Sequence, residues 1–502
     1  MLNIVRALDR NADREPTGEA VVFDDVRLTH AQLRDRVEDL ARGLQAHGVG
    51  RGDVVALLMR NCLEFLELAF AINRIGAIAL PLNFRLALDE WRYILDHAGA
   101  RLLLTQPEFA DAARELTGAV GSLAAFGVTG PPGVGGADVE TLRRSGPALP
   151  MADVGADDVH RLMYTSGTTA RPKGVPLTYG NLLWKTLGHL VELGVSAGDR
   201  TLMVGPMYHV GAFDLPGIGT LYAGGSVVIR PTFEAVDALA AMTAERPSIV
   251  WLAPAMVNAI LQVPDLDRYD TTSIRVVVNG GEKMPVPLID RLAAAFPNAW
   301  IADAYGLTET ASGDTFLPRG YLKGKLGSVG KPVLHLDVRI LREDGTDAVA
   351  NEPGEVALRG PKVFSGYWRD EEATRRAFRD GWFLTGDIGH LDADGFLFID
   401  DRKKDMIISG GENIASLEVE RALSEHPAVL EVAVVAMPDE RWGEVPRAVV
   451  VLRPGTTCTA EELIAHCGPR LARYKLPKTV EFRDALPRNA SGKVLKRELR
   501  SG

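Results

Sequence analysis

Apolar residues recur along this chain with two alternating periods. Thr29 and Gln32 are spaced as a helix-capping box, and Leu33, Val37, Leu40 and Leu44 then return at helical intervals until Gly48 ends the run. A continuous apolar stretch at 54–59 reads as a buried strand, 63–74 as a helix and 78–81 as a short strand. The alternation resumes with a helix at 181–193, strands at 201–204 and 226–229, a helix at 234–245 and a strand at 249–252. A strand at 274–278, a helix at 287–296 and a strand at 300–304 follow. Strands that alternate with helices imply parallel sheets covered by helices. Residues 127–136, rich in glycine and proline, read as a loop.

After Gly327 the pattern changes to short strands punctuated by the hairpin dipeptides Asp344-Gly345, Asp380-Gly381 and Asp394-Gly395. Beyond the charged run 401–405 comes a small α+β unit, with helices at 416–424 and 460–471 and strands near 429–437, 447–452 and 479–482. The predicted fold class is α/β. A large N-terminal body, 1–401, has parallel-type sheets flanked by helices plus a short β-rich subdomain. A hinge at 402–404 leads to a small mobile α+β C-terminal domain, 405–502.

A chain of 502 residues is too long for one compact domain, and 46% apolar with 24% charged residues excludes wholesale disorder. The net charge of −10 makes nucleic acid or an anionic membrane surface a poor partner. The tail runs the other way: 470–502 holds ten basic and three acidic residues, which suits a small polyanion such as ATP. Three scattered cysteines, Cys62, Cys458 and Cys467, form neither a disulfide framework nor a zinc spacing, so a cytoplasmic setting is expected. Arg6, Asp9, Arg10, Asp13 and Arg14 stand where a signal peptide needs an apolar run, and Glu67, Asn73 and Arg74 break the most apolar stretch, 66–82. No integral membrane contact is expected, and a homodimer is allowed.

The strongest local signal for chemistry is Thr165-Ser166-Gly167-Thr168-Thr169-Ala170-Arg171-Pro172-Lys173-Gly174. It carries four hydroxyls, two glycines and a lysine just after an apolar strand. Small side chains and exposed amides of this kind wrap phosphate oxygens, although the spacing is not that of a P-loop. Tyr305-Gly306-Leu307-Thr308-Glu309 follows the strand at 300–304, where a carboxylate is well placed to hold Mg²⁺ against phosphate. Gly280-Gly281-Glu282 also follows a strand, and glycines there let a flat ring approach the backbone. Asp387, in Thr385-Gly386-Asp387, has the chemistry to accept hydrogen bonds from ribose hydroxyls. Taken singly, each of these fits an ordinary polar turn as well.

Taken together, the motifs Thr165–Gly174, Tyr305–Glu309, Thr385–Asp387, Arg402, Ser409-Gly410-Gly411-Glu412-Asn413 and 487–493, ending in Gly492-Lys493, resemble the adenylate-forming superfamily in order and spacing. That superfamily holds acyl- and aryl-CoA synthetases, luciferases and peptide-synthetase adenylation domains. The resemblance covers nearly the whole chain and implies an AMP-forming ligase that converts a small carboxylic acid, ATP and CoA, with Mg²⁺, into acyl-CoA. It implies that Thr165, Ser166, Gly167, Thr168, Thr169 and Lys173 hold the β- and γ-phosphates, and that Thr308 and Glu309 take the α-phosphate and the metal. Gly280, Gly281, Glu282 and Tyr305 would line the nucleotide, with Asp387 on the ribose and Arg402 on ribose or phosphate. Lys493 would bridge carboxylate and α-phosphate. Lys404 would be the hinge, Gly410 and Gly411 would line a pantetheine tunnel, and His209 would gate the acyl site. Val210, Gly211, Phe213, Asp214 and Gly306 would form the acyl pocket.

Three departures qualify the resemblance. Ala170 replaces a common loop glycine, Ala415-Ser416 replaces an aromatic and a proline, and Asp214 puts a carboxylate in the apolar run 210–221. Asp214 must be protonated, solvated or paired, either with a protein cation or amide or with a polar group on an aromatic substrate. Three rival readings stay open: nitrite activation with transfer to an aromatic amine, a luciferase-like oxygenase, and a nucleotide-binding module without catalysis.

Overall fold

The computed structural model of the chain describes residues 2–129, 137–165, 171–280, 286–409, 412–439, 441–488 and 493–500. Among these, three sheets organise the molecule. The first has the strand order Ala137–Asp138, Ala125–Val128, Ala100–Thr105, Val54–Leu58, Ile78–Pro81, Val159–Thr165, Lys173–Thr178. It is parallel except for its last pair. The second has a parallel centre running Ser226–Ile229, Arg200–Met203, Ile249–Leu252, Val276–Gly280, Trp300–Tyr305. The third, in the small domain, pairs Gly443–Leu452 with Val429–Asp439, Ile407–Ser409 and Thr479–Phe482.

The sequence patterning accounts for these layers. The box at Thr29 is formed in both directions, Gln32 N to Thr29 Oγ1 at 3.2 Å and Thr29 N to Gln32 Oε1 at 2.9 Å. It starts the helix His30–Ala46, whose Leu33, Val37, Leu40 and Leu44 are all fully buried. The apolar helix Leu63–Arg74 packs into a core shared by side chains of both large sheets. The polar residues that interrupt its run are each bonded. Glu67 pairs with Arg36 and Arg143, Arg74 with Glu38 and Asp9, and Asn73 donates to the His160 carbonyl. A helix apolar nearly all round is a buried helix when its charges are paired inside. No helix among the described residues is long and apolar enough to cross a membrane.

Two features add to the sequence reading. The β-rich region is continuous with the second sheet, because Ser328–Pro332 pairs with Thr315–Phe316 on one side and with Leu397–Arg402 on the other. The apolar run after His209 winds as a π-helix, Phe213–Ile218, where Pro216 lacks the N–H that an ordinary helical bond needs.

Candidate active site

Parallel strands of both large sheets end at one cleft of about 1440 Å³, which residues of the small domain also line. Ligands of open α/β sheets bind outside such carboxyl ends. The loop 165–174 connects an antiparallel hairpin in which Thr165 stands opposite Lys173, and both face the cleft. Ser166, Gly167, Thr168, Thr169 and Ala170 lie outside the described residues. The loop's returning arm rests on two aromatic rings: the Arg171 guanidinium is 5.2 Å from the Tyr93 centroid and the Lys173 ammonium 4.6 Å from that of Tyr367.

Tyr305 ends its strand at the cleft, and the chain turns at once through Gly306, where a Cβ would stand 2.3 Å from the Gly313 nitrogen. Thr308 and Glu309 lie on the short 3₁₀ turn that follows. The Tyr367 hydroxyl donates to Glu309 Oε1 at 3.0 Å, and the Phe364 amide donates to the Glu309 carbonyl at 2.8 Å. Burial pushes the Glu309 carboxyl up, while the Tyr367 hydrogen bond and the Arg402 charge pull it back.

Asp387 is 1% exposed. It accepts from the Tyr305 hydroxyl on Oδ2 at 2.6 Å and pairs with Arg402 Nε on Oδ1 at 2.6 Å. Burial raises this carboxyl, and Arg402, Tyr305 and Lys493 oppose the shift. Each Asp387 oxygen retains a second lone pair, so the carboxylate is already ordered for further donors. Gly280 ends the neighbouring strand with Ala304 O only 2.9 Å from where a Cβ would be, so the two backbones lie against each other. Gly281 and Glu282 lie outside the described residues.

His209 caps the turn Val210–Ala212, its Nδ1 accepting from the Gly211 amide at 3.1 Å. Burial, aided by the charge of Lys493, lowers its pKa to about 4, so at neutral pH the ring is uncharged with its proton on Nε2. Lys493 lines the cleft, and its charge bears on both His209 and Asp387. Lys404 is exposed in the turn after Arg402, and its carbonyl accepts from Arg500 Nη2 at 3.1 Å. Gly410 and Gly411 lie outside the described residues. Ser416, one of the departures, donates its amide to Asp401 and accepts at Oγ from Lys496 Nζ at 2.5 Å, tying its helix to the strand Leu397–Arg402.

The inner end of the cleft is walled by Val210, Gly211, Gly306, Trp251, Leu215 and Gly313. Phe213 and Asp214, expected in this wall, are not part of it. Phe213 packs edge-on against Phe65 at 5.6 Å. Asp214 is fully buried and pairs through Oδ2 with Arg161 Nη1 at 2.6 Å, while its carbonyl accepts from Lys185. The π-helix leaves Leu215 at the cleft and turns these two inward. Sequence reasoning missed Arg161, Lys185, Lys362 and Tyr367. For Arg161 and Lys185 the legible signal was a cation inside an apolar stretch, which buried structure must pair or hydrogen-bond.

Comparison with known proteins agrees with this geometry. Residues 8–368 match the family described as AMP-binding enzyme, and 418–493 match the AMP-binding enzyme C-terminal domain. The chain is 41% identical to a feruloyl-CoA synthase of Amycolatopsis sp, covering 98% of this chain and 97% of the relative. It is 40% identical to an indoleacetate–CoA ligase of Aromatoleum aromaticum, covering 98% and 96%. Among solved structures, an anthranilate CoA ligase bound to anthranoyl-AMP superposes with a TM-score of 0.93 at 30% identity, covering 99% and 96%. The o-succinylbenzoate CoA synthetase of Bacillus subtilis with its acyl-adenylate superposes at 0.86 and 32%, covering 98% and 97%. These relatives are CoA ligases by name, and none of them supports nitrite activation. By fold, by cleft and by matched length, the chain belongs to the AMP-binding enzyme family.

Proposed function

We propose that the protein is an AMP-forming acid–thiol ligase whose acid is aromatic. The observation that carries this reading is one continuous cleft. Lys493, the Asp387–Arg402 pair and Glu309 face its outer part, and His209, Gly211, Trp251 and Gly306 wall its inner end. A carboxylate oxygen attacks the α-phosphorus of ATP, the bond to the β-phosphate breaks, and pyrophosphate leaves with the electron pair. The thiolate of CoA then attacks the acyl carbon and AMP departs. The first step sets anions against a polyphosphate, so its catalysis is positioning and charge neutralisation. Lys493 and Lys173 supply cations at the cleft, and Arg402 is held by Asp387. The Thr308 hydroxyl and the Glu309 carboxylate are hard oxygen donors that fit Mg²⁺. These two residues would hold the ion. When bound, Mg²⁺ screens phosphate charge.

The inner pocket favours a flat acid. The rings of His209 and Trp251 lie 6.3 Å apart at 34°, and Gly211 has no room for a side chain, since a Cβ there would stand 2.9 Å from Trp251. His209 and Trp251 offer an acid's ring the offset or edge-to-face contacts that aromatic side chains favour. Feruloyl-, indoleacetate- and anthranilate-CoA ligases among the relatives support the same class. The test is pyrophosphate release with ferulate, benzoate, aminobenzoate, indoleacetate and octanoate, with and without CoA, alongside nitrite plus aminobenzoate. An aryl acid should lead and form a thioester only with CoA. Octanoate in the lead would overturn the aromatic assignment, and turnover with nitrite alone would overturn the ligase reading. A cytoplasmic setting and a homodimer belong to the same proposal. Exposed Trp184 and Val191 on the helix Tyr179–Leu193, beside exposed Leu334, offer apolar surface for a second copy, which light scattering tests.

A further inference from the structure

One residue beyond Glu309 the backbone holds three consecutive left-handed residues, Ala311 at φ 55°, Ser312 at 69° and Gly313 at 59°. For alanine and serine that conformation is strained, and it persists only where surrounding contacts over-determine it. Lys362 provides them. Its ammonium, 2% exposed, donates to Ser312 O at 2.8 Å, Gly313 O at 2.7 Å and Asp314 Oδ1 at 2.7 Å, so all three of its protons are used. Asp314 is fully buried. Its Oδ2 accepts from Thr310 Oγ1 at 2.6 Å, and its amide donates to Tyr305 O at 2.7 Å. The Ser312 amide donates to Leu307 O at 2.8 Å, and His189 Nε2 lies 3.0 Å from Gly313 O.

The turn therefore lies against both halves of the cleft. Ser312 and Gly313 line its acyl end, where a Cβ on Gly313 would come within 2.6 Å of Leu215, while Thr308 and Glu309 stand at its phosphate end. Burial lowers the Lys362 pKa and raises that of Asp314, and each partner opposes the shift in the other.

We propose that Lys362 is a positioning residue for adenylation, one buried ammonium that sets the acid pocket against the phosphate-binding turn. The inference rests on the ligase reading above. Its test is adenylate formation, melting temperature and ATP binding by calorimetry in Lys362→Met, Lys362→Gln and the double variant Lys362→Met/Asp314→Leu. Replacing both members of a buried ion pair with apolar groups commonly restores stability, yet it takes the Lys362 donor from the Ser312 carbonyl and leaves Gly313 O to His189 alone. The double variant should recover most of the melting temperature that Lys362→Met loses. Its adenylation kcat should stay down roughly 10²-fold, as a misplaced reacting group costs. Lys362→Gln, whose amide keeps two donors, should regain at least about tenfold of the rate lost in Lys362→Met. ATP affinity should change little across the series. A double variant with wild-type kcat, or no gain with glutamine, overturns the inference while wild-type turnover leaves the ligase reading intact. Wild type that adenylates no acid removes both.

Discussion

Replacing Asp214 by asparagine keeps the shape of the side chain and removes its charge. Its partner Arg161 has a side chain 2% exposed, and Asp214 itself is 0% exposed, so water cannot take over the lost pairing. Breaking a buried pair from one side typically costs about 3–5 kcal/mol, because an uncompensated charge remains inside. Part of the Arg161 guanidinium lies 4.9 Å from the Phe213 centroid, a contact present with or without Asp214, so it does not offset the change. A second group joins the loss: burial lowers the Lys185 pKa to about 7, and the Asp214 charge is what raises it. Without that charge the Lys185 pKa falls further, which weakens its hold on the Asp214 carbonyl. For a large cooperative unit, where each kcal/mol moves the midpoint by about 2 °C, the expected drop in melting temperature is roughly 6–10 °C. The double variant Arg161→Met/Asp214→Leu should return most of it. Because Asp214 does not line the cleft, the ranking of aryl acids by kcat/KM should be unchanged at a temperature where the variant is folded. A midpoint shift under about 2 °C would refute the buried-pair argument. A reordered acid ranking would show that Asp214 reaches the substrate after all.

Lys493→Ala should slow adenylate formation roughly 10²–10³-fold, as loss of a charged transition-state contact does, while thioester formation from supplied acyl-adenylate survives; equal damage to both half-reactions would sink the idea that the small domain alternates. Lys404→Pro, restricting φ in an exposed turn, should leave pyrophosphate release intact and block transfer to CoA; normal CoA turnover would place the hinge elsewhere. His160 is buried with neither ring nitrogen hydrogen-bonded among the described residues, and burial first, then the Arg161 and Lys185 charges, hold its pKa well below 6.5. Its folded value is depressed, so the unfolded state binds the extra proton; stability present above pH ~6.5 is lost as pH falls, at up to about 1.4 kcal/mol per unit. His160→Leu should flatten that slope in urea titrations between pH 6.5 and 4, and an unchanged slope would mean the ring is not the source.

Local chemistry and periodicity settled much of this protein before any packing was considered. The capping box at Thr29, the face Leu33–Val37–Leu40–Leu44 and the strand–helix alternation are properties of neighbouring residues, and they appear in the structure as read. The motifs around Thr165, Tyr305, Asp387 and Lys493 were legible for the same reason, since each is a short run whose residue types are tied to one task. The closing of the second sheet through Ser328–Pro332 was not legible, because strand pairing across long separations depends on partners that no window contains. Nor was the fate of Asp214. Its sequence neighbours are apolar, and only the π-helical winding and the approach of Arg161, Lys185 and their strands and helices decided that it faces a cation and not a substrate. Lys362 and Asp314 are 48 positions apart, and the strained turn they hold exists only when the two large sheets and their loops have assembled. Sequence determines which groups must be buried or bonded; which partner each finds is a tertiary outcome, because a buried charge is stabilised by whatever the fold brings within hydrogen-bond reach.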